Sequence, residues 1–249
     1  MARGLYRGAR VESGLPQAHF ELENRNGRFA MVQDGVDLCT SKDLPTFFSQ
    51  VEWNLTEAAM AGFGHYLQIH AAAAAAVLGG TTILMIGPPD SGKTTLVIAF
   101  ARMGAQLLTD EIALIEPATL RVHAFPRDFI VHRGTQAEFP EVGKSSLPFA
   151  RFDGYSFVPP AAFSTLPAPA PTEAATLLFP DFKLGCKPRC SPLGEAAAAE
   201  RILEQSFNLE LSEEEGPNLI GALVERCQAF EVVFGDAVEA ARLVRSKIE

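Results

Sequence analysis

The sequence predicts an α/β fold organised around one glycine-rich turn, and three observations carry that expectation. Short apolar runs of strand length alternate with segments whose apolar residues recur at helical spacing. Residues 87–94 read Gly-Pro-Pro-Asp-Ser-Gly-Lys-Thr, a complete G-x-x-x-x-G-K-[ST] pattern, set between one such strand and one such helix. The 249 residues are 47% hydrophobic and 20% charged, enough apolar material for a large core.

The elements follow in order. Phe20-Glu21-Leu22-Glu23 alternates as a strand does, Asn26-Gly27 is a hairpin turn, and Phe29-Ala30-Met31-Val32 is the returning strand. From Leu44 to about Gly64 the pattern becomes helical, with Phe47, Phe48, Val51, Leu55 and Met60 on related faces, Ser41 as N-cap and Gly62 or Gly64 as stop. Tyr66 to His70 alternates as a strand. The alanine run Ala71–Ala76 that follows reads as helix on propensity alone. Ile83–Ile86 is a short buried strand leading into the turn. Leu96, Val97, Phe100 and Met103 then mark a helix closed by Gly104. Gln106–Thr109 is a strand ending at Asp110-Glu111, Ile112–Ile115 continues as strand, and Leu120–Phe125 forms another.

Residues 126–173 carry weak periodicity and many breakers, among them Pro159-Pro160, Pro167, Pro169 and Pro171, which reads as a long functional loop, a lid or a partly disordered stretch. Leu177-Leu178-Phe179 is a strand, Glu195–Gln205 a helix behind Pro192, and Leu219–Cys227 a helix behind Pro217. Phe230–Phe234 is a strand and Val238–Ile248 a terminal helix. The organisation expected is 1–64 as N-terminal strands and a helix packed on the core, and 65–249 as the domain carrying the turn, whether separate or continuous.

A strand, a glycine turn and a helix start in succession aim backbone N–H groups and the positive end of a helix dipole at one point, which is what a polyphosphate needs. Gly87, Pro88, Pro89, Asp90, Ser91, Gly92, Lys93, Thr94 and Thr95 are therefore the candidate nucleotide-binding residues. Lys93 would meet the outer phosphates, and the Thr94 hydroxyl would ligate Mg²⁺. Asp110 and Glu111, seventeen and eighteen positions after Lys93, end the next strand. In a β–loop–α–β unit that strand returns beside the first, bringing both carboxylates to the phosphate site. Arg127 and Arg133 could also reach the phosphates, His123 and His132 are weaker candidates, and Lys183, Lys187 and Arg189 form a basic cluster.

Composition narrows the partners. A net charge of −9 argues against duplex nucleic acid, whose phosphates demand clustered cations. No apolar run reaches the length of a membrane span, and Arg3, Arg7 and Arg10 lead into no apolar signal region, so no membrane partner and a cytoplasmic location are expected. Four cysteines fit reduced thiols, and the C-x₃-C pair Cys186/Cys190 lacks the second ligand pair of a zinc site.

Ile69-His70, the Gly87–Thr94 turn and Met103–Glu111 together resemble the catalytic domain of HPr kinase/phosphorylase, which carries a His upstream of its loop and an acidic pair at the same spacing after it. The resemblance is closer to the HPr-kinase-like proteins found beside peptide-modification genes, including the lasso-peptide kinases. These are similar also in Val11–Pro16, Gly27-Arg28-Phe29, Pro192-Leu193-Gly194 and Phe230–Gly235. The resemblance implies a P-loop fold of the PEP-carboxykinase-like type, a strongly curved mixed sheet with helices outside. It places Ile69–Val77 in a strand that delivers His70 to the active site.

The resemblance further implies that Lys93 contacts phosphates, that Thr94 holds Mg²⁺, and that Asp110 and Glu111 share metal binding and activation of an acceptor hydroxyl. Asp110 is taken as the base, and the residues themselves do not separate it from Glu111. ATP and Mg²⁺ are the implied cofactors, a hydroxyl on a peptide or protein, serine above all, is the implied acceptor, and a homo-oligomer is the implied assembly. Two departures stand out: the second acid is Glu111 where the family has Asp, and the glycine-rich signature after the acidic pair is missing. Phosphorolysis and HPr as substrate are therefore not expected. A regulatory ATP-binding protein or ATPase without transfer, and a kinase of a free small molecule, are the alternatives these motifs also allow.

Overall fold

The computed structural model describes residues 18–77, 81–125, 127–140, 151–152, 155–164, 170–209 and 215–248. The Val11–Pro16 segment and Pro167 and Pro169 of the proline-rich stretch lie outside these residues. The chain divides into two compact units at the Gly64–His65 junction.

In the N-terminal unit, β1 (Glu21–Arg25), β2 (Arg28–Gln33) and β3 (Val36–Ser41) form an antiparallel meander followed by α1 (Leu44–Gly62). Both connections are two-residue turns with positive φ at each position, Asn26-Gly27 and Asp34-Gly35, as the right-handed twist of a hairpin requires. Met31, Phe47 and Val51 make the small core between meander and helix. The helix is capped by Asp43, whose carboxylate accepts the Thr46 N–H at 2.8 Å, and not by Ser41. Ser41 lies two residues too early: its hydroxyl accepts the Asp43 N–H instead.

The larger unit, from His65, is built on an eight-stranded mixed sheet. Along its main path the order is β13 (Arg189–Pro192), β14 (Gln228–Phe234), β12 (Thr172–Phe182), β5 (Thr81–Ile86), β4 (Leu67–Val77), β7 (Ile112–Ile115), β8 (Arg121–His123). β6 (Gln106–Thr109) also pairs with β4. β12 runs parallel to β5 and β14 and pairs antiparallel with β8 at Thr172 and Glu173, so the sheet curls until its far strand meets a central one. Helices lie on both faces. α2 (Lys93–Arg102) and α6 (Ala237–Ile248) share one core with Ala72, Ala74, Ile83 and Met85. α4 (Glu195–Glu204) and α5 (Glu215–Arg226) share the other with Ala71, Ala73, Leu84 and Ile86.

This two-sided burial explains the alanine run. Ala71 to Ala75 are each at most 1% exposed, alternating between the two cores, and small side chains let both layers approach. The tertiary demand overrides helix propensity, and the run is strand. Gly104 ends α2 in the left-handed conformation, with Gly104 N–H to Ala101 O and Ala105 N–H to Phe100 O, the paired bonds of a Schellman cap.

Elsewhere the expectations need correction. Residues 126–173 are not one loop: they hold β9 (Phe129–His132), α3 (Arg133–Glu138), β10 (Arg151–Phe152), β11 (Tyr155–Val158) and the start of β12. β9, β10 and β11 form a separate three-stranded sheet. Their shortness hid the alternation that marks longer strands. β12 has 11 residues where three were expected, because Thr172-Glu173 at its start and Pro180-Asp181 near its end break the apolar pattern of its middle. α5 starts at Glu215, so Pro217 sits within its first turn, where a missing N–H costs nothing.

Candidate active site

The Gly87–Thr94 loop follows β5 directly and runs into α2. Two residues in it take positive φ, Asp90 at 63° and Gly92 at 93°. At Gly92 the conformation is not the only constraint, since a Cβ there would sit 2.6 Å from Phe234 Cζ. The first turn of α2 has no side-chain cap, which leaves its N–H groups available to an anion. Lys93 is only 5% exposed and folds back over the loop, donating to Gly87 O at 2.7 Å and to Pro88 O at 2.9 Å. Burial pulls its pKa below the usual lysine value, against the opposing pull of Glu111, Asp110 and Asp90. Thr95 Oγ1 meets Thr135 Oγ1 of α3 at 2.7 Å, tying the start of α2 to that helix.

The acidic pair reaches the loop by a route the sequence did not suggest. β6 does not lie beside β5: β4 stands between them, antiparallel to both. β5 and β6 therefore run the same way one strand apart, and their C-terminal ends share an edge of the sheet. β4 pairs first with β7, from Leu67 to His70, then with β6, from Ala73 to Ala75. Asp110 and Glu111 occupy the break between those two ladders, with Glu111 O accepting the Ala71 N–H at 3.0 Å. Such an interruption re-aims side chains that would otherwise alternate across the sheet.

Asp110 is fully buried, and its Oδ2 accepts the Ile130 N–H of β9 at 3.0 Å. Glu111 Oε1 lies 3.1 Å from His70 Nε2. Burial alone would push the Glu111 pKa up. The His70 hydrogen bond and the charges of Arg127, His70 and Lys93 outweigh it and hold the carboxyl below the usual value. Arg127 is 6% exposed, with Nε directed at Asp128 O at 3.4 Å. His70, one position before Ala71, which pairs with Ile86 at the end of the strand feeding the loop, completes the group.

His70 also has a partner that sequence reasoning missed. Its Nδ1 lies 3.2 Å from Gln205 Oε1, and its N–H donates to Gln205 O at 2.7 Å. The chain after α4 zips onto the free side of β4: Phe207 N–H to Gln68 O at 2.9 Å, and the Asn208 side chain to Gln68 N and Tyr66 O. Gln205 belongs to no motif; only this long-range pairing brings it to the site. The other candidates lie elsewhere. His123 sits 3.7 Å from Glu116 and against Tyr66, His132 and Arg133 are exposed at the end of β9 and the start of α3, and Lys183 pairs with Asp181 at 2.6 Å.

Among the described residues no group of three or more His, Cys, Asp or Glu side chains is placed to hold a metal ion by itself. No helix among them is long and apolar enough to cross a membrane. Comparison of the chain with protein-family models and with curated proteins finds no match.

Proposed function

We propose that this protein is an ATP- and Mg²⁺-dependent kinase of the HPr-kinase-like, P-loop type that transfers the γ-phosphoryl group to a hydroxyl, serine on a peptide or small protein. One observation carries the reading: the glycine loop leaves β5 and the Asp110-Glu111 pair leaves β6 at the same edge of the sheet, one strand apart. A loop that only bound a nucleotide would need no buried carboxylate beside a half-buried one and no histidine paired with the latter. Transfer needs a carboxylate for the metal, a base for the acceptor, and positive charge around the phosphoryl group.

The roles follow from the surroundings. Lys93 would exchange its two loop carbonyls for phosphate oxygens. Thr94, Glu111 and Asp110 supply hard oxygen donors of the kind Mg²⁺ takes, one or two carboxylates alongside phosphate oxygens and water, so the donor set fits that ion. When bound, Mg²⁺ would neutralise charge on the transferring phosphoryl group. Glu111, paired with His70 and held anionic, is a poor base and a good metal ligand. Asp110 is thereby assigned as the group that takes the acceptor proton. Arg127 adds a buried cation next to Glu111. The HPr-kinase likeness supports the same roles for Lys93, Thr94, Asp110, Glu111 and His70.

The test is label transfer from γ-³²P-ATP to polypeptides in a lysate of the native host, with the wild type and Asp110→Asn compared. The variant should still bind nucleotide, with Thr94 and Glu111 left as metal donors, and lose transfer by about 10²–10⁴-fold, the size of a general-base contribution. Transfer at the wild-type rate would remove Asp110 from the mechanism. Nucleotide binding with no label on any acceptor would favour a regulatory ATP-binding protein.

A further inference from the structure

On the β12 side of the loop, across β5 from β4, lies an open cavity of about 410 Å³. Its walls are the loop crown Pro88–Ser91, the end of β12 and the end of α4, with Glu231 of β14. Volumes in this range suit a small molecule or a few side chains, not the face of a folded protein.

The chemistry of the walls does not suit a triphosphate. Pro88 and Pro89 have no N–H, so this part of the crown cannot cradle phosphate oxygens. Four carboxylates line the space, Asp90, Asp181, Glu204 and Glu231, with one guanidinium, Arg201, and Asp181 is paired with Lys183 at 2.6 Å, so Asp90 and Glu204 carry the excess negative charge. That guanidinium is already engaged, 2.7 Å from Glu231 and 5.5 Å above the Phe179 ring. An independent sign of a ligand comes from Ser91. It lines the cavity, is 8% exposed, and its Oγ is buried with no hydrogen-bond partner among the described residues. A buried hydroxyl left in this state is costly, and an occupant with a hydroxyl or amine would satisfy it. Gln205 lines the same cavity and touches His70, which touches Glu111, so two side chains in contact link an occupant to the acid pair.

We infer that this cavity is the acceptor pocket, and that it selects a hydroxyl carried close to a positive charge on a short apolar stem. A serine flanked by Lys or Arg in a peptide has that chemistry, as does a free amino alcohol. The inference rests on the kinase reading, and the acidic lining supplies the specificity: it draws in a cation and repels an acidic acceptor.

The experiment measures transfer from γ-³²P-ATP to three serine peptides identical except for Lys, Gln or Glu beside the serine, and to ethanolamine. Binding of the fluorescein-labelled Lys peptide is followed in parallel by anisotropy, with Mg²⁺ and a non-hydrolysable ATP analogue present. Wild-type protein should use the Lys peptide or ethanolamine at least about tenfold better than the Glu peptide. Whichever of the two is labelled identifies the source of the cation. Glu204→Lys, at an exposed position near a helix C-terminus where a cation is tolerated, should erase or reverse the preference. Equal kcat/KM across the peptides, or a preference untouched by Glu204→Lys, overturns the pocket and leaves the kinase standing. Lys-peptide binding that Glu204→Lys abolishes, with no transfer to any acceptor, overturns the kinase and keeps the cavity as a cation site.

Discussion

Replacing Lys93 by methionine separates what the lysine does for the fold from what it does for a nucleotide. In the folded chain its ammonium is buried and donates two hydrogen bonds to loop carbonyls. Hydrogen bonds to a charged group contribute about 1.5–3 kcal/mol each, whereas burying an ammonium costs several kcal/mol. The lowered pKa shows on which side the balance falls: the charged form is less favoured here than in water, chiefly through burial. Methionine keeps the length and apolar stem and removes the charge, and Pro88 is exposed, so water can replace Nζ at its carbonyl.

The nucleotide-free variant should therefore unfold within about 1 kcal/mol of the wild type, a Tm difference of roughly 2–4 °C in a chain of this size. The response to ligand should differ sharply. A nucleotide present at a hundred times its Kd stabilises the wild type by about 2.7 kcal/mol, or roughly 5–10 °C. Loss of one partner from a buried charge pair costs about 2–5 kcal/mol, which removes that shift. Thermal unfolding by intrinsic fluorescence, with and without Mg²⁺-ATP, reads both quantities. A loss of more than about 2 kcal/mol without nucleotide would make Lys93 a structural residue. An undiminished ligand shift would show that its ammonium does not meet the phosphates.

Two further outcomes follow. Because the folded state holds the Glu111 carboxyl below its usual value, its stabilising contribution is complete above the ordinary carboxylate value near about 4.3 and is lost as pH falls through the lower folded value. Urea unfolding of wild type and Glu111→Gln should converge as pH drops through that window, and a gap independent of pH would contradict the assignment. Ala73→Leu, between two filled cores, should destabilise by about 1–3 kcal/mol, seen as a lower urea midpoint at unchanged m-value; a change within about 0.5 kcal/mol would mean the helical layers are not pressed onto β4.

What could be seen in the sequence was local. The loop, the helix after it and the Gly104 cap are written in contiguous residues, and each is found where its pattern stands. The acidic pair is also contiguous and was placed near the loop for a reason only half right. A β–loop–α–β unit was expected to return its second strand beside the first, yet β4 is inserted between them, and no local pattern in 106–111 could report that pairing. The alanine run shows the same limit from the other side: its propensity says helix, and two flanking cores say strand. Gln205 was invisible for the strongest reason, since its place depends on the chain folding back across a sequence separation of 135 to His70.

The insertion of β4 does more than alter the strand order. With β6 directly beside β5, the carboxylates would stand one strand spacing from the loop and nothing on the sheet edge would separate them. With β4 between, the edge carries a residue of its own, and His70 occupies it, one position before the residue paired with Ile86. The break between β6 and β7 lies opposite that point, so Glu111 turns toward His70 while Asp110 turns toward the Ile130 amide of β9. Two adjacent carboxylates, alike in sequence, thus receive different environments: one is exposed to cations that keep it ionised, the other is sealed against a backbone donor. The division of metal binding and proton acceptance proposed for them needs that difference, and the extra strand is what creates it.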